Sequence, residues 1–290
     1  INKAEGKIEC TKEELAGLPE NFIESLVKNK KTGKYIVTTA YPHSGPFMKL
    51  AKNSQKRKEL ATASLQKGGA VNIKLLNQMV QLRHQQAVTL GFKNHIERTL
   101  LLRMAGTEDR AQDFLNGLYK RVFKKSRLER DVLSAIKTKD LGKKATLEFY
   151  DTAYYSNILY QKQADLDTET LKDFFETTHT LGEMFRLYEG LFGLSFKPVT
   201  SFDTWHPSVS VIEVSDSKTK TKLGFVYLDL YPREGKYGHA AVFHVAEGFR
   251  RSYKNGAYSM PVCALVCNFR KPSKKNPSLL SLREVETLFH

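Results

Sequence analysis

The 290-residue sequence lacks any apolar run that approaches the roughly 20 residues of a membrane-spanning helix. Its first residues, Ile1 to Glu5, contain neither the hydrophobic core of a signal peptide nor an initiator methionine. We therefore expect a globular chain with no membrane partner, and we expect its first residue to be a processed or truncated end.

Cysteine is scarce as well, since the chain holds only Cys10, Cys263 and Cys267. An odd and small number of cysteines excludes a disulfide scaffold and favours buried free thiols in a reducing compartment. Cys263 and Cys267 would share one face of a strand, but two thiolates supply at most half of a structural metal site.

Acidic residues are too few to balance the basic ones, and the formal net charge is +15. A basic chain can attract nucleic acid or an anionic membrane surface. The cations are nevertheless spread along predicted helices, as at 52–58, without the interleaved aromatics on which bases stack. We interpret them as solvated helix faces, and this pattern argues against a nucleic-acid partner.

Apolar residues before position 195 recur mainly at helical spacing. Asn72 is expected to cap one amphipathic helix, and Thr107 a long charged helix that reaches about Lys137. The β-branched and aromatic stretch 35–41 predicts one short strand. Residues 1–195 are therefore predicted to form a helical segment.

The spacing changes to alternation after residue 195. Stretches 209–214 and 223–231 alternate around a polar turn and predict a hairpin, while 262–269 is a nearly continuous apolar strand. The prediction is a mainly α fold with a small antiparallel β-sheet near the C-terminal end, and residues 196–290 form this mixed segment.

The last residues begin a helix. Ser281 and Glu284 have the spacing of a capping box, and Leu282, Val285 and Phe289 follow at helical spacing. No glycine, asparagine or proline stop signal follows before His290, the final residue.

The stretch from Glu284 to His290 resembles the lead-in to the zinc helix of the thimet oligopeptidase and neurolysin family. In that family the final histidine is the first ligand of an H-E-x-x-H motif, in which two histidines on one helical face share a zinc ion and the glutamate acts as general base. The resemblance implies that His290 is the first zinc ligand of an incomplete site. It assigns no catalytic residue to the chain.

A longer resemblance to the same family covers roughly the last two thirds of the chain, from Gln81 to His290. Its most specific part is Phe225 to Ala241, which includes the loop 233–239, and 265–269 also fits. The resemblance implies a neurolysin-like helical channel, zinc as cofactor, short peptides as partners, and a cytoplasmic location with the mitochondrion as alternative.

The resemblance also implies that a strand edge of the sheet pairs with the peptide, and it points to Ala264, Val266 and Asn268 for that edge. The continuous apolar run at these positions favours an interior strand instead, so both alternatives stand.

In the neighbouring loop 233–239, Gly235, Gly238 and His239 are candidate ligand contacts, because glycine permits close backbone approach. The alternative for this loop is a tight turn with an Arg233–Glu234 surface pair and a solvated His239.

Two functions follow as hypotheses. The first is a portion of a zinc metallo-oligopeptidase that hydrolyses short peptides, inactive as printed because the glutamate, the second histidine and the later glutamate ligand of the family motif are missing. The alternative is a non-catalytic truncated homologue or fragment that binds peptides. Either would expose apolar faces, so we also expect self-association.

Overall fold

The computed structural model describes residues 6–164, 170–250, 258–272 and 276–290. The helix cap that the sequence predicts at Asp167–Thr168 and the turn that it predicts at Asn255–Gly256 lie outside the described residues.

Helices make up most of the regular structure in these ranges, which confirms the prediction of a mainly α protein. In chain order the α-helices of the described residues are α1 (Glu20–Glu24), α2 (Tyr41–Leu50), α3 (Ser54–Leu65), α4 (Gly69–Thr89), α5 (His95–Leu100), α6 (Glu108–Leu141), α7 (Thr152–Ala164), α8 (Thr177–Phe192) and α9 (Leu282–Phe289). Short 3₁₀ helices at Glu13–Leu15, Phe149–Asp151 and Thr170–Phe174 supplement them.

Local capping residues set the ends of α6 and the start of α9. The Thr107 side chain accepts a hydrogen bond from the backbone N–H of Arg110, as predicted, and Gly142 ends α6 in the left-handed conformation with φ of 64°. Ser281 and Glu284 form the predicted capping box at α9. The predicted cap at Asn72 is wrong, because α4 already begins at Gly69, after Gly68 has turned the chain with φ of 78°.

The strands of the described residues form two small antiparallel pairs and one larger sheet. In chain order they are β1 (Lys7–Cys10), β2 (Tyr35–Thr38), β3 (Leu194–Val199), β4 (Ser210–Asp216), β5 (Lys222–Asp229), β6 (Ala241–Ala246), β7 (Phe249–Arg250), β8 (Tyr258–Ser259) and β9 (Val262–Val266). β1 pairs with β2, and β7 pairs with β8.

The larger sheet has five strands in the order β3-β4-β5-β9-β6. The predicted hairpin is β4–β5, and β9 pairs antiparallel with β6. The expectation of a purely antiparallel sheet is wrong at one junction, because β5 and β9 are parallel. The chain leaves β5, forms β6 at the far edge, and returns to place β9 between them.

The sheet packs against α8 and α9 around a core that includes Met184, Leu228, Phe269 and Leu288. Helix α8 precedes residue 195, so this core draws on both sides of that position, and the division into segments 1–195 and 196–290 stays a proposal. A separate core near the start of the chain joins β1, β2 and α1–α3.

A buried ion cluster connects α3, α6 and the start of α7. The fully buried carboxylate of Asp151 accepts hydrogen bonds from Arg57 Nη2 at 2.7 Å and from Lys137 Nζ at 2.6 Å. Burial by itself raises the pKa of Asp151, but the hydrogen bonds from Lys137 and Arg57 outweigh it and hold that pKa below its usual value. The stability that these bonds provide is therefore present above about pH 4 and is lost as the pH falls further.

Outside these cores, α4 and α6 expose many apolar side chains. On α4 these are Val71, Ile73, Leu75, Leu76, Met79, Val80, Leu82 and Val88, and on α6 they are Phe114, Leu115, Leu118, Tyr119, Val122, Phe123, Leu128, Val132 and Leu141. Exposed apolar surface on this scale marks an interaction surface in a folded protein. Within the described ranges, no helix combines the length and apolar character needed to cross a membrane.

Asp151→Asn is predicted to lower the free energy of unfolding by about 3–5 kcal/mol, because it leaves two cations buried without a counter-charge. Urea unfolding followed by circular dichroism measures this loss. Asp131→Asn, at an exposed position on α6, is the matched control and is expected to stay within about 0.5 kcal/mol of the unsubstituted protein. Equal stability of both variants would show that the cluster does not hold these helices together.

Candidate functional site

The two edges of the five-stranded sheet differ in their capacity to bind another strand. One edge is β3, which carries Lys197 and Pro198. Proline removes a backbone N–H donor, and lysine and proline are typical of edge strands that do not pair further. The other edge is β6, which contains neither residue and pairs only with β9 among the described strands.

Strand β6 presents its side chains as well as its backbone to solvent. Every residue from Val242 to Ala246 is exposed, and the register against β9 shifts between His244 and Ala246. Such irregularities are common at sheet edges and next to functional sites. Among the described strands, none pairs with the outer side of β6, so its outward backbone groups are candidates for hydrogen bonding to another strand.

The resemblance-based expectation that 264–268 is the edge is wrong for the strand itself. β9 lies in the interior of the sheet, between β5 and β6, as its continuous apolar run favoured. Ala264 and Val266 are buried there and face no open edge. Asn268 lies beyond the strand and is half-buried, and its Nδ2 donates to the carbonyl of Tyr237 at 2.9 Å.

The loop 233–239 connects the end of β5 with the start of β6. Gly235 has φ of 74°, a conformation that favours glycine, and the N–H of Lys236 closes the turn by donating to the carbonyl of Arg233 at 3.2 Å. Gly238 and His239 are exposed beyond this turn. The loop thus contains the tight turn that one alternative predicted, and it also presents the residues that the other assigned to ligand contact.

Asp229, the last residue of β5, holds this loop. Arg233 donates to both oxygens of the Asp229 carboxylate, with Nη1 at 2.6 Å from Oδ1 and Nη2 at 2.8 Å from Oδ2. Trp205 Nε1 donates to the same carboxylate at 3.0 Å. The predicted Arg233–Glu234 surface pair is therefore wrong, because Arg233 instead makes a bidentate bond with a buried carboxylate, which is the stronger arrangement.

Lys236 is the second basic residue that holds the loop, and we call Asp229, Arg233 and Lys236 together the clamp. Its side chain is only 3% exposed, and Nζ lies 2.9 Å from Asp229 Oδ1. The same ammonium donates to the carbonyls of Asp229, Tyr231 and Cys267 at 2.8, 2.6 and 2.5 Å. One cation thus joins the end of β5, the following turn and the end of β9.

The protonation states of the clamp follow from these contacts. Burial raises the pKa of Asp229, but the hydrogen bonds from Arg233, Lys236 and Trp205 outweigh it and hold that pKa well below its usual range. Burial lowers the pKa of Lys236, and the hydrogen bond to Asp229 opposes that change. The carboxylate therefore stays ionised at neutral pH, and it anchors both basic residues.

His290 lies exposed at the end of α9, where its backbone N–H donates to the backbone carbonyl of Glu286 at 2.9 Å. In the parts of the chain that the structure describes, no group of three or more His, Cys, Asp or Glu side chains is arranged to hold a metal ion. His290 thus supplies a single donor, and these residues alone do not fit a catalytic zinc site, which takes three protein ligands.

The sequence reasoning missed β6 and the clamp. The run 241–246 is apolar except for His244, without the alternation that marks a half-buried strand. The spacing of Asp229, Arg233 and Lys236 is a signal that could have indicated an ion cluster, since opposite charges four and seven residues apart meet readily across a turn.

Known proteins match the chain along nearly all of its length. The sequence pattern of peptidase family M3 matches residues 47–290. Thimet-like oligopeptidase of Dictyostelium discoideum is 32% identical over 98% of this chain, and saccharolysin of Saccharomyces cerevisiae is 34% identical over 98%. Organellar oligopeptidase A, chloroplastic/mitochondrial, of Arabidopsis thaliana is 28% identical over 98%.

The chain spans 43%, 42% and 38% of the lengths of these three relatives. The match nevertheless covers most of the present sequence, and it includes the sheet, the clamped loop and α9. The chain therefore belongs to peptidase family M3.

Proposed function

We propose that this chain is the peptide-binding portion of a zinc metallo-oligopeptidase that hydrolyses short peptides. The observation that carries the proposal is the open edge of β6, which has no proline or lysine and is exposed along its length. Family membership supports the same function, because the matched relatives include proteins named as oligopeptidases.

In this proposal, an extended peptide adds to the outer side of β6 as a further strand. The backbone N–H and C=O groups of β6 hold the peptide, so affinity does not depend on one particular peptide sequence. This mode suits an enzyme that acts on many short peptides. Gly235, Gly238, His239 and Asn268 remain proposed contacts or supports for the bound peptide, while Ala264 and Val266 act only by positioning β6 through the backbone of β9.

His290 is the proposed first ligand of the zinc ion. When bound by a complete site, zinc polarises the scissile carbonyl and activates water. Because the described residues contain no group of three or more His, Cys, Asp or Glu side chains arranged to hold a metal ion, we propose no zinc-dependent step for these 290 residues and expect no peptide hydrolysis from them alone. The same observation favours the second candidate function, a chain that binds peptides without cleaving them.

Other features remain part of the proposal. A helical channel like that of neurolysin would use α4 and α6 as walls. We place the protein in the cytoplasm, with mitochondria as the alternative, since one matched relative is named as an organellar protein. Nucleic acid is not a proposed partner, because the basic side chains of α6 are interspersed with exposed apolar ones along the whole helix.

The exposed apolar faces of α4 and α6 lead us to expect self-association of the isolated chain. Light scattering after size-exclusion chromatography is predicted to give species heavier than the 33.0-kDa monomer. A hydrophobic dye is expected to bind, and charged substitutions at Leu115 and Val122 should reduce both signals. A monodisperse monomer that leaves the dye silent would contradict this expectation.

Strand addition is tested with labelled hexapeptides that carry N-methyl groups on alternate residues. In an antiparallel or parallel pair, only alternate peptide N–H groups face the neighbouring strand. Two peptides are compared, one N-methylated at its odd-numbered and one at its even-numbered residues, and we call these two patterns frames. The frame whose N-methyl groups face β6 is predicted to bind at least tenfold more weakly, as measured by fluorescence anisotropy, because it loses up to three hydrogen bonds of about 0.5–1.5 kcal/mol each. The other frame is predicted to retain its affinity within about threefold.

Equal loss in both frames, or in neither, would contradict strand addition. The matched control for the protein is Lys197→Ala in β3, which changes an exposed side chain on the opposite edge of the sheet without removing a backbone N–H, and it is expected to leave binding unchanged. A parallel assay with zinc and a fluorogenic peptide addresses catalysis. We expect no hydrolysis by the 290-residue chain. If the chain cleaves the peptide and a chelator abolishes that cleavage, the expectation is wrong.

A further inference from the structure

Two aromatic rings lie in contact beside the open edge of the sheet. The ring centroid of Tyr237 is 5.5 Å from that of Phe243, and the ring planes meet at 82°, which is the edge-to-face arrangement that aromatic pairs prefer. Both rings are exposed, Tyr237 by 46% and Phe243 by 43%. The ring of His239 lies 5.7 Å from Tyr237 on the loop.

The exposed Tyr237 ring is held on a fixed backbone. The preceding residue is Lys236, whose buried ammonium bonds three carbonyls and the Asp229 carboxylate. The carbonyl of Tyr237 itself accepts from Asn268 Nδ2 at 2.9 Å. Much of the conformational entropy that a binding loop normally loses on binding is therefore already lost when the protein folds, so ordering this loop opposes peptide binding less.

The position of Phe243 on β6 decides what these rings can contact. Ala241 and Phe243 share one face of the strand, because successive side chains alternate in the regularly paired part of β6 that precedes the register shift. A peptide strand added at the outer edge would place one of its own side chains beside Phe243, at the roughly 5 Å spacing of cross-strand neighbours. On that face the peptide side chain would meet Phe243 and lie near Tyr237, whose ring contacts that of Phe243.

We propose that Tyr237 and Phe243 form a subsite that selects an aromatic or large aliphatic side chain of a peptide paired with β6. This inference rests on the proposed function, since it requires a peptide strand at that edge. Asp229 is a positioning residue for the subsite, because it acts on Tyr237 only through Arg233 and Lys236.

The selectivity follows from surface chemistry. A ring or branched aliphatic chain placed against the two rings removes apolar area from water and completes an aromatic cluster. An aspartate at the same place would lose hydration against the apolar surface of the two rings. Alanine would leave both rings largely exposed.

The test uses a labelled hexapeptide in which one residue at a time is Phe, Leu, Ala or Asp, and it measures binding to the full 290-residue chain by fluorescence anisotropy. At one position, Phe and Leu are expected to bind about five- to tenfold more tightly than Ala, which corresponds to one aromatic contact and its buried area. Phe243→Ala and Tyr237→Ala are each expected to reduce that ratio to below about twofold.

Two further variants separate a subsite from a general defect. Tyr237→Phe keeps the ring and is expected to retain the full preference, which a loss of the loop structure would not allow. Phe174→Ala removes another highly exposed ring, on the 3₁₀ helix Thr170–Phe174 that precedes α8, and is expected to leave the Phe-to-Ala affinity ratio of the peptides unchanged. Thermal unfolding of each variant checks that the fold is intact.

The outcomes distinguish this inference from the function on which it rests. If peptides bind with the alternate-frame dependence on N-methylation but show the same Phe-to-Ala ratio in Phe243→Ala and Tyr237→Ala, the subsite is wrong and strand addition stands. If no peptide binds, or N-methylation in both frames has equal effect, the proposed function itself fails.

Discussion

The bond network of Asp229 is the interaction on which the arrangement of the sheet edge depends. A single buried carboxylate ends β5, binds Arg233 through both oxygens, and receives the ammonium of Lys236. Removing one partner of a buried ionic network costs several kcal/mol, because the remaining charges lose their counter-charge in a medium that solvates them poorly. These bonds hold the turn after β5 against the end of that strand, and the chain continues from this turn to β6 at the far edge of the sheet.

The strands that follow this turn are placed out of sequence order in the sheet. The chain forms β6 first and then returns to insert β9, so the nearly continuous apolar strand lies in the interior and the exposed strand β6 forms the edge. Lys236 also binds the carbonyl of Cys267, just after β9, which links the loop to the strand that supports β6. Stability and the proposed function therefore use the same residues, since the clamp that holds the loop also aligns the edge to which a peptide would add.

Features with local causes could be predicted from the sequence. Thr107 and the pair Ser281–Glu284 cap their helices because the bonds involved span three residues. The insertion of β9 beside β5 depends on contacts that only the folded sheet brings about, whereas Arg233 binds Asp229, four residues earlier, across the turn that follows β5. The resemblance assigned the sheet edge to 264–268, but β6 forms that edge, because strand order depends on pairing between distant stretches of the chain.

The most direct test of this account is amide hydrogen exchange of the 290-residue chain, measured by mass spectrometry with and without a saturating hexapeptide. A peptide that adds to the sheet at β6 must bond the outward N–H groups there, and exchange in 241–246 is predicted to slow by at least tenfold, while exchange in the proline-containing edge β3, at 194–199, is predicted to stay the same. Unchanged exchange in β6 under saturation, or protection confined to β3, would contradict the claim that β6 is the peptide-binding edge.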